Sequence, residues 1–224
     1  MVSDDPAMNR PPMDQNLPTE TVQTAFALGC FWGPDALFGA LDGVVRTCVG
    51  YAGGTTRAPT YENIGDHIET VRLTYDPGQI GYNDLLDHFW AYHDPARAPL
   101  KRQYQPALFP RTDAQAEQAQ ASKAAVAARH DGSISTECIE APSFYRAEAY
   151  HQKHKLRRHS PLLRAFQAMY PDDAALTDSP AAALANGYIG GHRAPEHLEE
   201  DEARLGLPPD ATDVLRTRAE RHGR

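Results

Sequence analysis

Apolar and polar positions along the chain change period several times, and each change marks an element. Residues 22–28 are an apolar, β-favouring run closed by Gly29, which predicts a strand. Gly33 and Pro34 then open a helix, since proline is tolerated at a first helical position and Asp35 suits the positive end of the helix dipole. Leu37, Phe38 and Leu41 share one helical face, and Gly43 stops the helix. Residues 44–49 read as a second strand. Gly50-Tyr51-Ala52-Gly53-Gly54 is too rich in glycine for helix or strand and reads as a loop that runs on to Pro59. In residues 68–75, Ile68, Thr70, Arg72 and Thr74 alternate against Glu69, Val71, Leu73 and Tyr75, which is strand periodicity, and Asp76-Pro77-Gly78 turns the chain. Residues 82–93 return to helical spacing, with Leu85, Leu86, Phe89 and Trp90 as a core-facing stripe.

Residues 103–109 read as extended, confined to an edge or a loop by Pro106 and Pro110. Thr112 and Gln115 form a capping-box pattern at the start of a long alanine-rich helix. Asp131-Gly132 turns into a strand candidate at 133–140, and residues 144–159 contain a basic helix, with a short helix at 161–170. Beyond it lie Gly187-Tyr188-Ile189-Gly190-Gly191 and then acidic and basic helical stretches. The order β-α-β, then β-α-β, predicts an α+β fold: a two-layer, ferredoxin-like (split βαβ) mixed sheet with helices packed on it and an extended C-terminal helical or coil region. Residues 1–20 read as a disordered tail, 21–170 as the main domain and 171–224 as a C-terminal extension.

Composition narrows the class. A chain of 224 residues has room for one ordinary domain with extensions. Its formal net charge of −8 and the lack of a basic stripe argue against a nucleic-acid partner. Three cysteines without paired spacing do not suit a secreted disulfide framework. The first twenty residues lack an apolar signal-peptide core, and no run approaches the ~18 apolar residues that span a bilayer. A reduced, soluble, cytoplasmic monomer is expected.

Cys30 falls at the strand-to-helix turn, among N–H groups without helical partners, where a thiolate is favoured and the pKa is expected below the free value of ~8.5. Phe31 and Trp32 follow it as an aromatic wall. On the turn alone, an ordinary buried cysteine with core aromatics fits as well as a reactive sulfur beside an apolar slot. His151, His154 and His159 invite a metal reading, but no cysteine or carboxylate pattern completes a site. With Lys153, Lys155, Arg157 and Arg158 around them, a basic solvated helix is the better reading, and no metal is expected.

The string Gly29-Cys30-Phe31-Trp32-Gly33 resembles the active-site motif of the A-type peptide methionine sulfoxide reductases, which reduce the S epimer of methionine sulfoxide. Four further stretches are similar to the family, in order over about residues 22–160. They are Val49-Gly50-Tyr51-Ala52-Gly53-Gly54 with Pro59-Thr60-Tyr61; His67-Ile68-Glu69 with Tyr75-Asp76-Pro77; Phe89-Trp90 with His93-Asp94-Pro95; and Phe144-Tyr145, Ala147-Glu148 and Tyr150-His151-Gln152. The resemblance implies thiol-dependent reduction of methionine (S)-S-oxide, free or in proteins, as repair after oxidative stress. It makes Cys30 the nucleophile, oxidised to a sulfenic acid. Glu69 becomes the acid, which the strand alternation supports: Glu69 shares a face with Val71 and Leu73, and burial raises a carboxyl pKa. Tyr51 and Tyr104 would bond the sulfoxide oxygen, and Phe31 and Trp32 would receive the methyl group, with Gly29 and Gly33 in the same substrate-binding set. His67, Glu148 and His151 would support the site.

Two departures from the family stand out. Its Asp-Gly pair before Gln-Tyr-Arg-Ser has no counterpart: Pro99 stands about where the Asp would fall, and the string here is Gln103-Tyr104-Gln105-Pro106. The glycine-rich tail also lacks the resolving cysteines that many members carry. Cys138 reads as structural, whereas Cys48, two residues before Gly50, stays open as a partner for Cys30. An external thiol (thioredoxin, glutaredoxin or a small thiol) is therefore expected, with no bound cofactor. The rival readings are a Cys-dependent hydrolase using His67 or His151 as base, and a non-enzymatic methionine-binding module.

Overall fold

The computed structural model describes residues 10–140 and 143–222. A short helix α1 (Pro12–Gln15) leads into β1 (Val22–Ala27), α2 (Trp32–Gly39), β2 (Val44–Ala52), β3 (Ile68–Tyr75) and α3 (Tyr82–Tyr92). These are followed by β4 (Ala107–Phe109), α4 (Asp113–Ala128), β5 (Glu137–Cys138) and β6 (Phe144–Arg146). The chain closes with α5 (His154–Arg157), α6 (Ser160–Met169), α7 (Asp173–Thr177), α8 (Pro180–Gly190), α9 (Leu198–Leu205) and α10 (Pro209–His222). The strands form one mixed sheet in the order β5-β4-β1-β3-β2-β6, an α+β architecture. Both β1 and β2 run antiparallel to β3, so they are parallel to each other, and α2 is the crossover between them. Among the described residues, no helix is long and apolar enough to cross a membrane.

Alternation along β1–β3 decides which side chains meet. Phe26, Val49, Val71 and Leu73 pack with Phe38, Leu85 and Phe89 in the larger sheet core, while Ala25, Ala27, Ala52, Ile68 and Phe109 form a smaller cluster. Tyr51 pairs directly with Glu69, so both project from the face that carries Val49 and Val71. Cys48 is three residues from Tyr51, and its register partner is Arg72, so it projects from the other face.

The first glycine-rich string is not the expected loop, and the second lies in a helix. Gly50, Tyr51 and Ala52 are the last residues of β2, paired on both sides with β3 and β6. A Cβ on Gly50 would lie 2.2 Å from the Tyr145 carbonyl oxygen and 2.5 Å from the Phe144 ring, so glycine serves the close approach of β6 rather than a turn. Gly187 and Gly190 lie within α8, against α2. A Cβ on Gly187 would come 2.7 Å from the Ala40 Cβ, and one on Gly190 would come 2.6 Å from the Ala36 Cβ. Small residues thus let the two helices meet almost backbone to backbone, and residues 180–189 of α8 are buried.

Other expectations change in detail. Of residues 103–109 only the last three are a strand. Because β4 pairs with both β1 and β5, it is not an edge; Pro106 and Pro110 flank it instead of interrupting its ladder. The strand candidate at 133–140 reduces to β5. Residues 1–9 of the expected tail lie outside the described residues. From α1 onward the segment is docked: the Asp14 carboxylate accepts from the Ala181 N–H at 2.9 Å and from the Tyr170 hydroxyl. The C-terminal helices have their own core around Leu162, Phe166, Tyr188 and Leu215. Arg193 fastens them to the sheet domain, donating to Asp201 at 2.9 Å and to Asp42 at 2.8 Å.

Candidate active site

After β1 the backbone reverses at Gly29, whose φ of 82° is a left-handed value that favours glycine. Cys30 follows with an open side to solvent, and Phe31 turns inward and is buried. The Trp32 N–H points at the Cys30 sulfur and favours its anion, as the turn geometry suggests. It does not prevail. Burial of the sulfur against its walls, together with the Glu69 carboxylate, pushes the Cys30 thiol above its ordinary range, so the resting group is a thiol rather than the expected thiolate.

Glu69 is 1 % exposed and occupies the floor of the turn. One of its oxygens accepts from the Phe31 N–H at 3.0 Å, the other from the Gln103 amide at 2.5 Å, and the Cys30 thiol donates to the same carboxyl. Burial raises its pKa, and these three neutral donors offset the rise only in part. A carboxyl held without a cation thus keeps its proton to higher pH than an exposed glutamate.

The remaining side chains assemble around this pair. The Tyr51 hydroxyl donates to Glu148 at 2.8 Å, and burial raises its pKa further from any physiological titration. Burial opposes ionisation of Glu148, yet the Tyr61 N–H (2.9 Å), its own N–H and the Tyr51 hydroxyl hold it below the usual carboxylate range. Tyr104 sits on a short 3-10 turn, half-buried. Its pKa is raised by burial and by the charges of Glu69, Tyr61 and Cys30, so it shares their pocket. Trp32 donates from its indole N–H to His151 Nδ1 at 3.1 Å, and the His154 ring stacks flat on it at 3.6 Å. The Phe31 ring meets the edge of His151 at 5.1 Å. His67 stands apart: its Nδ1 accepts from the Gly54 N–H at 3.2 Å and its Nε2 contacts the Thr56 carbonyl at 2.7 Å, which ties down the loop before β3.

Gly33 has a function the sequence does not disclose. The Tyr92 hydroxyl lies 2.4 Å from where a Gly33 Cβ would be, and Tyr92 feels the charge of Cys30. Tyr92 and Gln103 are site residues that sequence reasoning missed; Gln103 had one signal, its adjacency to Tyr104. Beneath α2 lies a second polar group, also missed. Asp35, Thr47, Lys153 and Asn186 are all fully buried. The Lys153 ammonium donates to Asp35 at 3.1 Å, to the Thr47 hydroxyl at 2.8 Å and to the Thr47 carbonyl at 2.7 Å, and the Lys153 N–H and Asn186 amide complete the carboxylate. The stretch around His151 and Lys153 is therefore not a solvated basic helix; His151, Gln152, Lys153 and Leu156 are interior. Nothing in their spacing gives that away.

The sequence as a whole decides the family. Residues 22–177 match the model of the family described as peptide methionine sulfoxide reductase. The chain belongs to the peptide methionine sulfoxide reductase family. It is 39 % identical over 186 residues to the peptide methionine sulfoxide reductase of Drosophila melanogaster, covering 82 % of this chain and 74 % of that one. Among solved structures it is similar to methionine sulfoxide reductase A of Corynebacterium diphtheriae, at 30 % identity and a TM-score of 0.55, over 64 % of this chain and 77 % of that one. It is similar also to the reduced form of Mxr1 from Saccharomyces cerevisiae, at 27 % identity and a TM-score of 0.59, over 64 % and 88 %.

As a member of this reductase family the chain is an enzyme, an oxidoreductase. The hydrolase alternative is not favoured by the contacts either. Both His67 nitrogens are engaged by the backbone, His151 Nδ1 accepts from Trp32, its buried Nε2 has no hydrogen-bond partner, and neither ring is hydrogen-bonded to Cys30. As for a second cysteine, Cys48 is buried on the opposite face of the sheet, where the Arg146 guanidinium donates to its sulfur at 3.2 Å. Cys138 lies on β5, two strands away from β1, about 10 Å by strand spacing alone. In this geometry neither reaches Cys30, which corrects the reading left open for Cys48.

Proposed function

We propose that this reductase takes the S epimer of methionine sulfoxide, free or in proteins, with Cys30 as nucleophile and Glu69 as general acid. The observation that carries the reading is the buried, cation-free Glu69 carboxyl touching both the Cys30 thiol and the Phe31 N–H. Cys30 Sγ attacks the sulfoxide sulfur while Glu69 protonates its oxygen and recovers the thiol proton. An S–S bond to the substrate forms as the S–O bond breaks, and the released oxygen is then added to Cys30 Sγ as that S–S bond breaks. Methionine leaves, its sulfur reduced by two electrons, and Cys30 becomes a sulfenic acid, oxidised by two. The step balances without a bound cofactor.

Tyr104 donates to the sulfoxide oxygen; Tyr51 does so on turning from Glu148. Phe31 and Trp32 take the sulfur methyl group, and that slot selects the epimer. Gly29 shapes the turn, and Gly33 leaves room for Tyr92. His151 and Glu148 hold Trp32 and Tyr51 in place, and His67 holds the neighbouring loop. The site draws on one chain only, which suits a monomer, with residues 21–170 as the catalytic unit and 171–224 as its brace. With Cys48 and Cys138 out of reach, the sulfenic acid is reduced by an external thiol, thioredoxin-like or small, of the kind a reducing cytoplasm supplies.

Supplying the separated epimers with excess dithiothreitol tests this. The S epimer should be consumed and the R epimer spared, with one oxygen appearing on Cys30 by mass spectrometry when the thiol is withheld. Equal use of both epimers, or an unmodified Cys30, would overturn it.

A further inference from the structure

Behind Trp32 a second cavity of about 380 Å³ opens between α5 and α10, large enough for a small ligand. Its walls include Trp32, His154, Lys155, Arg158, His159 and Arg218, and among the described residues no carboxylate lines it. In a chain of net charge −8 this concentration of positive charge runs against the overall balance. None of Lys155, Arg158 and Arg218 is ion-paired with a carboxylate among the described residues. Asp213, on the same helix as Arg218, faces a neighbouring cavity and lies 3.9 Å from Arg216. His154 Nδ1 is buried without a hydrogen-bond partner. Three unneutralised cations around a cavity form an anion site.

We infer that this cavity docks a small thiol carrying two carboxylates, the reductant for oxidised Cys30. The inference rests on the sulfenic acid proposed above and names what removes it. Trp32 is two residues from Cys30, and the Lys155 charge acts on the Cys30 sulfur, so a thiol seated against the Trp32 edge stands near its target. A thiol with two carboxylates suits three cations better than free methionine sulfoxide does: the single carboxylate of the sulfoxide is cancelled by its ammonium, whereas a dicarboxylate thiol such as glutathione stays net negative despite its own ammonium. A protein-bound sulfoxide has no carboxylate of its own to offer. Arg218 comes from the extension beyond residue 177, so the cavity depends on a part of the chain outside the family match.

The chemistry is thiol exchange in two steps. The docked thiol attacks the Cys30 sulfenic sulfur, an S–S bond forms, the S–O bond breaks, and the oxygen leaves as water, carrying its own proton and the one the thiol gives up. A second thiol then attacks the mixed disulfide at the docked sulfur, returning Cys30 as a thiol and releasing a small-molecule disulfide.

Glutathione, its diethyl ester and dithiothreitol are suitable probes. Cys30 is first oxidised in a single turnover and its added oxygen verified by mass; if none is gained, the proposed reaction fails and not this site. Decay of the sulfenic acid should be roughly tenfold or more faster with glutathione than with the ester, as expected when paired charges are lost. In Arg158→Gln/Arg218→Gln, the glutathione rate divided by the dithiothreitol rate should fall by a similar factor. Equal rates for glutathione and ester on the unaltered protein would refute the site without any variant. So would a rate ratio that survives the double substitution. A higher KM for free methionine sulfoxide but not its amide, with that ratio intact, would assign the cations to the substrate instead.

Discussion

Two buried carboxylates flank the first turn of α2, and their surroundings give them opposite uses. Asp35 is fully buried but faces a lysine ammonium, a hydroxyl, an amide and a backbone N–H. Glu69 is 1 % exposed and receives only neutral donors. A cation turns a buried carboxylate into a brace; without one, burial holds the proton available for transfer. The active site thus borrows its rigidity from an ion pair on one side of the turn and its acidity from the absence of such a pair on the other.

The contrast is broken most completely at the sulfur both regions serve. Cys30→Ser should lower turnover by about 10⁴-fold or more while leaving the far-ultraviolet circular dichroism unchanged. Next comes Glu69→Gln, for which kcat should fall by about 10²–10⁴. In the unaltered enzyme, activity should decline as pH rises through the raised Glu69 pKa, and the variant should lose that decline. The sign for stability follows as well. A raised folded-state pKa contributes stability fully below the ordinary glutamate value of about 4.3, and this is lost as pH rises through the folded value. Urea melts of Glu69→Gln should therefore weaken less with rising pH than those of the unaltered protein.

On the brace side, Lys153→Met strands the Asp35 charge, and urea denaturation should show a loss of about 3–5 kcal/mol. The double variant Asp35→Asn/Lys153→Met should lose less than that. Were the single variant as stable as the parent, the ion pair would not be what holds α2. Gly187→Ala presses a methyl into α2 and should cost about 1–3 kcal/mol without changing the pH profile. The smallest effect belongs to the other thiols. Cys48→Ser/Cys138→Ser should leave dithiothreitol-driven turnover unchanged, and its complete loss with an intact fold would show that one of them resolves Cys30.

Much of this was written locally. The strand, glycine turn and helix around Cys30, the inward face of Glu69 and the stripe on α3 follow from short-range periodicity, because alternation and helical spacing act within a few residues. The resemblance of the motif strings to the reductase family, and not periodicity, pointed to Tyr51, Tyr104, Glu148 and His151 and singled out Cys30. Three matters lay beyond that range. Glycine has one spelling and several uses, so Gly50 read as a loop residue until β6 was seen to need the space, and the use of Gly187 stayed unread until α2 was seen against it. The titration of Cys30 depended first on burial, which together with a carboxyl 39 positions away in sequence outweighs the turn's own N–H. Lys153, one of four cations in a basic string with Lys155, Arg157 and Arg158, became interior only because Asp35, Thr47 and Asn186 converge on it from three other elements. Local sequence determined the elements and the reacting groups. Burial and charge pairing come from residues far apart in the chain, and those only the tertiary structure could decide.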